Sequence, residues 1–528
     1  MPLESFSLDR ALLLWGLESP AAARVEYYLS HYVRGPNGLT PQNSSGANTS
    51  KGVPGSIDLK HWRDSCAFAD SYADLGRWLD LWVDVARAKE ASNDSEWITR
   101  TWVQVKLMAQ YLHKLRKNAT NATGISTGLI YGPAEFDECM YQEYWFSISA
   151  WAWRGLLQLQ RFLVDTAVLT SEGPFARRIL DECTRFKRDL DAARDASLVR
   201  DAAGKIIFIP PYPATNFTPY PAMPFSNRGT EQQDYGGGAA YANFRYFSEM
   251  LSAQFLGEEI DVALSDFRES HYGTLSSMTR FRTHLDDMPA AGYAYSNVAT
   301  NRTLSFNSLL FGHIANYQSH GTFNAPEQLG FNMGDDGYRK LLGAGTGEAD
   351  IDTCVPSTTL VALMLRWMLV FEEKDSDTVW ILKTAPRRMF PGGSKSEADI
   401  SSNYLSADRA ATRFGWFSFS VTAHADNHTR FLSGIEGSSL RTKAVVSLEL
   451  HGRGYVGVQD YLRVVVRLRD PAGDKSLRYA NITGSDHDRV TLIEVDSEGE
   501  NVVLEVSREA SAKGRITSLA FDIDAHFE

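Results

Sequence analysis

Acids held in loops between apolar segments are the residues of this chain best suited to chemistry. Four segments carry them: Asp64 in HWRDSC, Glu135 and Asp137 in GPAEFDE, Asp286 and Asp287 in THLDDMPA, and Glu327 in GTFNAPEQ. Cleaving a glycosidic bond typically takes two carboxyl groups, one protonated to assist the leaving oxygen and one ionised to activate water or attack the sugar. Two like charges side by side can raise one pKa, which suits the Asp286-Asp287 pair to proton donation near neutral pH. Asp137, Asp287 and Glu327 are the acid/base candidates. Retention and inversion differ in carboxylate separation, about 5 against 6.5–9.5 Å, and a sequence gives no distances. Each acid also has a structural alternative, because orphan amides and the positive dipole end favour carboxylates at helix starts.

Around these acids stand residues suited to hold a sugar. Trp62, Tyr141, Tyr144 and Tyr235 offer aromatic planes for the C–H faces of a pyranose, and Arg63 and Arg280 offer forked donors for a uronate carboxylate. Glu135 and Asp286 complete the substrate-binding set. Trp145 and Trp151 fall at helical spacing and read as core. Arg245, Arg268, Arg280 and Arg282 have Glu249, Glu269 and Asp286 as alternative salt-bridge partners. A second chemistry draws on different residues. A polysaccharide lyase needs a Tyr or His base beside a neutralised uronate, and Arg280, His284, Tyr317 and His320 supply those types.

Other chemistries fit less well. His313 and His320 are two helical turns apart, about 10 Å, too far to share a metal, and there is no H-E-x-x-H motif. Gly124 to Gly128 matches G-x-S-x-G without the strand-turn-helix setting of a nucleophile elbow. Gly236-Gly-Gly238 has neither a preceding strand nor a following Lys-Ser/Thr, so it is no phosphate loop. Cys66, Cys139, Cys183 and Cys354 are too scattered for a zinc ribbon or a disulfide scaffold. No metal and no cofactor is expected.

The composition is that of a large globular protein, 528 residues with 43% hydrophobic and 22% charged side chains. A net charge of −12 argues against a surface built for nucleic acid. No apolar run reaches the ~18 residues a membrane span needs, so no membrane partner is expected. The start MPLESFSLDR is not a signal region, yet nine N-x-S/T sequons occur, at Asn43, Asn48, Asn93, Asn118, Asn121, Asn216, Asn301, Asn427 and Asn481. They point to a secreted glycoprotein whose signal lies outside this chain. The expected partner is a carbohydrate, a third reading being a glycan-binding protein without catalysis, and the oligomeric state is not legible.

The elements that must position these residues are helices first and strands later. Helical periodicity runs from about residue 10 to 386, with segments at 10–34, 66–90, 94–117, 140–168, 172–198, 240–270, 296–319, 352–373 and 377–386. Short connections alternate with long Gly-, Pro- and aromatic-rich loops, so the long loops should gather at one end of an α-hairpin array. Period-two, β-branched runs follow, as in Leu462-Arg-Val-Val-Val-Arg-Leu468. In its paired helices and in WGLESPAAARVEYYLSHYV, DSYADLGRWLDLW, GPAEFDE and RFRTHLDDMPA, the chain resembles the six-hairpin glycosidase-like superfamily. That resemblance implies an (α/α)6 toroid over residues 1–390 and hydrolysis of glycosidic bonds by loop or inner-helix acids. Pro391 to Asp399 begins a linker placed at 391–404, and 405–528 is expected to form an antiparallel β-sandwich.

Overall fold

The computed structural model describes residues 2–38, 52–56, 72–123, 127–133, 142–213, 245–271, 273–275, 278–281, 284–286, 290–316, 318–319, 324–326, 328–330, 354–390, 404–425, 442–452, 461–469, 476–484, 486–507 and 519–527. The chain divides into two compact units, one of Met1–Leu13, Leu17–Thr300 and Ser308–Val361, the other of Leu14–Gly16, Asn301–Asn307 and Ala362–Glu528. Helices dominate the first and sheets the second, so the chain is α then β.

The helices, in order, are α1 (Pro2–Leu14), α2 (Glu18–His31), α3 (Tyr72–Ala91), α4 (Ser95–Thr123), α5 (Phe146–Asp165), α6 (Gly173–Ser197), α7 (Tyr246–Ala253), α8 (Glu258–Ser270), α9 (Ala290–Ala299), α10 (Thr303–Asn316) and α11 (Val355–Leu369). Burial separates them into two kinds. In α5 only Val164 and Asp165 are exposed, and α3, α7 and α9 are likewise buried nearly all round. Helices α4, α6 and α8 each keep a solvent face, as amphipathic outer helices do.

Of the all-buried helices, α3, α5 and α7 stand in one parallel row. Gly76 of α3 meets the backbone at Trp151 and Ala152 of α5, Trp82 meets Phe162 at 5.4 Å, and Glu90 accepts from Thr166 at 2.9 Å. Contacts thus advance together along both chains, which makes α3 and α5 parallel. The next pair behaves alike, with Trp145 against Tyr246 at 4.4 Å and Arg154 donating to the carbonyls of Ala253 (3.1 Å) and Gln254 (2.7 Å). Helix α9 packs next to α7, with Gly292 seated on the Ser248 backbone of α7. The amphipathic partners run the other way, Lys187 of α6 lying over Trp153 and Trp82 donating to Thr101 of α4 at 2.9 Å.

Turn chemistry sets the hairpins. Asn93 adopts the left-handed region (φ 61°) after α3, and Asp94 then caps α4 by accepting the Trp97 amide at 3.3 Å. Left-handed Gln254 and Gly257 split the helical segment expected over 240–270 into α7 and α8. The segment 10–34 likewise divides at Gly16, and 296–319 becomes α9 and α10. Helix α5 begins at Phe146 after a short strand, later than the start expected at 140. Small antiparallel ribbons occupy the connections: β1 (Gly132–Pro133) with β2 (Gln142–Glu143), β3 (Val199–Arg200) with β4 (Ile206–Phe208), and a four-stranded sheet of β5 (Thr274–Leu275), β6 (Met278–Phe281), β7 (His284–Asp286) and β8 (Gln328–Gly330).

The second unit holds two five-stranded sheets. One has the order β16-β17-β14-β10-β9, from β9 (Val370–Glu372), β10 (Thr378–Ile381), β14 (Tyr461–Arg467), β16 (Val490–Asp496) and β17 (Asn501–Ser507). The other has the order β11-β12-β13-β18-β15, from β11 (Tyr404–Thr412), β12 (Gly415–Ala425), β13 (Thr442–Gly452), β15 (Leu477–Thr483) and β18 (Leu519–Phe527). Alternate residues are buried, as with Phe417, Phe419 and Val421 in β12 and Val502, Leu504 and Val506 in β17. The segment 377–386, expected as helix, supplies β10 instead. Val379 and Ile381 sit inside the sheet between β9 and a parallel β14, and strand pairing overrides the local pattern. The longest stretch of the second unit, Ala362–Glu528, carries both of these sheets.

The α3–α5 crossing exists because neither Gly76 nor Gly155 has a side chain. A Cβ on either would collide with a backbone carbonyl of the other helix. Gly155→Leu should therefore lower stability by about 1–3 kcal/mol or more through overpacking. Gly173→Ala, whose Cβ would meet nothing nearer than Arg177 at 3.9 Å, should be near neutral. Denaturant unfolding of both variants checks this, and equal midpoints would show that the helices are not in backbone contact.

Candidate functional site

Parallel packing brings the N-terminal ends of α3, α5 and α7 to one end of the row, and charged side chains collect there inside the protein. In α3, Arg77 donates to Asp74 one turn earlier at 2.8 Å and pairs with Glu249 of α7. The Arg77 guanidinium lies 5.3 Å from the centre of the Trp151 ring of α5, whose indole N–H donates to Glu249 at 3.3 Å. Asp74 and Arg77 are almost completely buried, whereas the Glu249 side chain is 20% exposed and is the reachable acid of this group. Burial opposes the charge on Arg77, but Glu249 and Asp74 outweigh it and raise the Arg77 pKa further. Carboxylates at helix N-termini also face the positive dipole ends.

Four residues before Glu249, Arg245 donates to Asp286 of β7 at 2.7 Å, with both side chains shut off from solvent. The Thr279 hydroxyl of β6 donates to the Asp286 carbonyl, so both the side chain and the backbone of Asp286 are held. Strands β7 and β8 are antiparallel, with Asp286 opposite Gln328 and His284 opposite Gly330. Asp286 and Gln328 are the chain neighbours of Asp287 and Glu327. Two acid-bearing segments some forty residues apart in sequence therefore share one ribbon.

The remaining sequence candidates divide by placement. Trp62, Arg63, Asp64, Glu135, Asp137, Tyr141, Tyr235, Asp287, Tyr317, His320 and Glu327 lie outside the described residues. Tyr144 is buried, its ring 5.1 Å from that of Tyr131. Arg280 is buried in β6, and its amide donates to the Gly273 carbonyl at 3.0 Å. His284 takes its place in β7 as the register above gives. Trp145 and Trp151 are both buried, as expected of core residues, but Trp151 also touches the charged group. Asp74, Arg77 and Glu249 are absent from the sequence-derived site. Their signal was available in YADLGRW, where an Asp and an Arg three apart interrupt a helix that is otherwise apolar.

Further buried ionisable groups complete the electrostatics of this unit. Arg10 donates to Asp80 at 2.8 Å. Burial raises the Asp9 carboxyl to about 6 although Arg24 donates to it. Asp261, in the first turn of α8, is buried with Oδ1 unbonded, and burial with the nearby Glu258 charge raises its carboxyl well above the usual range. His313 is driven down to about 4 by burial, so its neutral ring donates from Nε2 to the Ser357 carbonyl at 3.0 Å. A surface cleft of about 300 Å³ between α5 and α6, lined by Gln160, Thr166, Thr170 and Arg177 among others, lies at the C-terminal end of α5 and holds no acid. Among the described residues no group of three or more His, Cys, Asp or Glu side chains is placed to hold a metal ion, and no helix is long and apolar enough to cross a membrane.

No protein-family model matches the chain, and no curated protein matches it. Among solved structures it is similar to the α-L-rhamnosidase of Streptomyces avermitilis complexed with L-rhamnose, at 12% identity and a TM-score of 0.43 over 98% of this chain and 38% of that one. It is also similar to Ara127N-Se, a GH127 β-L-arabinofuranosidase from Geobacillus stearothermophilus T6, at 11% identity and a TM-score of 0.39 over 100% of this chain and 71% of that one. The chain thus spans less than two fifths of the rhamnosidase it matches.

Two outcomes follow from the buried charges. Arg245→Met alone removes the cation that pairs with the buried Asp286 carboxylate and should cost about 3–5 kcal/mol, whereas Arg245→Met with Asp286→Leu should recover most of that loss; a double variant no better than the single one would mean that the pair is not coupled. The folded pKa of Asp261 exceeds its unfolded value of about 3.9, so the fold is most stable with this group protonated and loses stability as pH rises from there toward the folded pKa. Asp261→Asn should therefore raise the thermal midpoint at pH 7 and leave it unchanged at pH 3, and an unchanged midpoint at both would place the carboxyl in water.

Proposed function

We propose that the protein is a carbohydrate-active enzyme that hydrolyses glycosidic bonds by carboxyl acid/base catalysis, with no metal or cofactor. The observation that carries this reading is the register of β7 and β8, which sets the chain neighbours of Asp287 and Glu327 opposite each other. Glycoside hydrolysis asks for two carboxyl groups brought together across a bond. Asp287 and Glu327 are the proposed pair, and Asp137 is the third acid. The charged residues at the N-terminal ends of α3, α5 and α7 support a sugar subsite, since arginine, carboxylate and indole N–H groups suit hydroxyl recognition.

The parallel row of buried helices with antiparallel partners outside it supports a closed (α/α)6 toroid for the first unit. The two five-stranded sheets, with the alternating burial of β12 and β17, support a β-sandwich for the second. Trp62 and Tyr235 are the proposed stacking aromatics, and secretion is proposed from the sequons.

A panel of aryl glycosides and soluble polysaccharides, read for new reducing ends, tests the activity. Asp287→Asn and Glu327→Gln should each lower kcat by about 10²–10⁴-fold with KM little changed. Hydrolysis left intact by Asp137→Asn, Asp287→Asn and Glu327→Gln alike would refute the site. Products carrying an ultraviolet-absorbing unsaturated sugar would replace hydrolysis by β-elimination.

A further inference from the structure

The proposed chemistry leaves the sequons unused, and the described ones share a physical setting. Asn93, Asn118, Asn301 and Asn481 are all exposed, and none of their side-chain carboxamides makes a hydrogen bond to the protein. Two of them occupy the same kind of turn. Asn93 links α3 to α4 and Asn301 links α9 to α10, each with φ 61° between the end of one helix and the start of the next. In that left-handed position Asn usually serves the backbone through its side chain. Here neither carboxamide makes a hydrogen bond among the described residues, while backbone bonds run through both turns: the Asn93 amide donates to the Glu90 carbonyl at 3.1 Å, and the Thr303 amide to the Asn301 carbonyl at 2.8 Å.

We propose that Asn301 carries an N-linked glycan, and that Asn93 is a second attachment point in the matching turn. Asn301-Arg-Thr303 is the better acceptor, because Asn93-Asp-Ser95 places an anionic side chain inside the sequon. The donor is a lipid-pyrophosphate-linked oligosaccharide. The carboxamide nitrogen forms a bond to the anomeric carbon and gives up one proton, and the lipid pyrophosphate departs with the bonding electron pair. Asn93 follows the C-terminal end of α3, a helix length away from Asp74 and Arg77 at its start. Along 20 residues at about 1.5 Å each, that is roughly 30 Å, so a glycan on Asn93 leaves the charged end of the row uncovered.

The inference rests on passage through a secretory compartment and not on the glycosidase reading, and the test separates the two by supplying the signal. The full chain is translated behind a heterologous signal sequence with microsomes, and protease-protected chains are digested after enzymatic deglycosylation in heavy-oxygen water. Most of the Asn301 peptide should show the asparagine-to-aspartate conversion that marks a released glycan. Thr303→Ala should abolish it there without affecting the Asn93 peptide, and Ser95→Ala should do the reverse. The glycosylated chain secreted from eukaryotic cells should also unfold cooperatively, at a midpoint no lower than that of the deglycosylated chain. An unmodified Asn301 in protected chains, or modification confined to chains that fail to fold, overturns the proposal.

Discussion

Two glycines facing each other across a helix crossing govern the architecture of the first unit. With Gly76 and Gly155 in contact, the backbones of α3 and α5 approach to a distance that no other residue type allows. That approach fixes the two helices side by side and parallel, which forces each return helix, α4 and α6, to the outside. Gly292 repeats the arrangement one step along the row, where α9 rests on the backbone of α7. Large aromatics fill the space further from the crossing. Trp82 is surrounded by Trp97, Trp102 and Phe162, and such rings bury area while their edges and faces interlock. The small residues set the spacing, and the large ones follow from it.

Because the helices are parallel, their N-terminal ends share one side, and so do the charges of the first turns. Placing Asp74, Arg77, Arg245 and Asp286 in the interior is costly unless every charge has a partner at close range. Each has one, through the Asp74–Arg77–Glu249 chain and the Arg245–Asp286 pair. Replacing buried ion pairs by well-packed apolar side chains is often neutral or stabilising, so these charges are weak evidence for stability. Glu249 stands apart, since part of its carboxylate stays open to water while Arg77 and Trp151 hold it in place.

Much of this was legible in the sequence where the local signal and the fold agree. Periodicity placed the helix Gly173–Ser197 to within one residue at each end, and it found Phe146–Asp165 while starting it six residues early and ending it three late, because apolar stripes and tertiary burial call for the same conformation. Legibility failed where a distant partner decides. Thr378–Ile381 reads as helix alone and becomes strand because β14 lies beside it. Single left-handed residues, Gln254 and Asn301, cut helices whose apolar pattern runs on without a break. In the site, THLDDMPA and GTFNAPEQ were both noted for their acids, but only the β7–β8 ladder shows that the two segments meet. Asp74 and Arg77 went unnoticed because an Asp and an Arg one turn apart look like a solvated surface pair until burial is known.

The parallel pairing of β10 with β14 has a consequence for the order in which the chain assembles. Thr378 pairs with Arg463, so the second strand emerges 463 − 378 = 85 residues after the first. At ribosomal rates of about 5–20 residues per second, that interval is ~4–17 s. Throughout it, the edge carrying Val379 and Ile381, fully buried in the finished sheet, has β9 on one side and no neighbour on the other. The nascent chain therefore carries an open, apolar strand edge for seconds, and the yield of folded protein depends on how well that edge is shielded until β14 arrives.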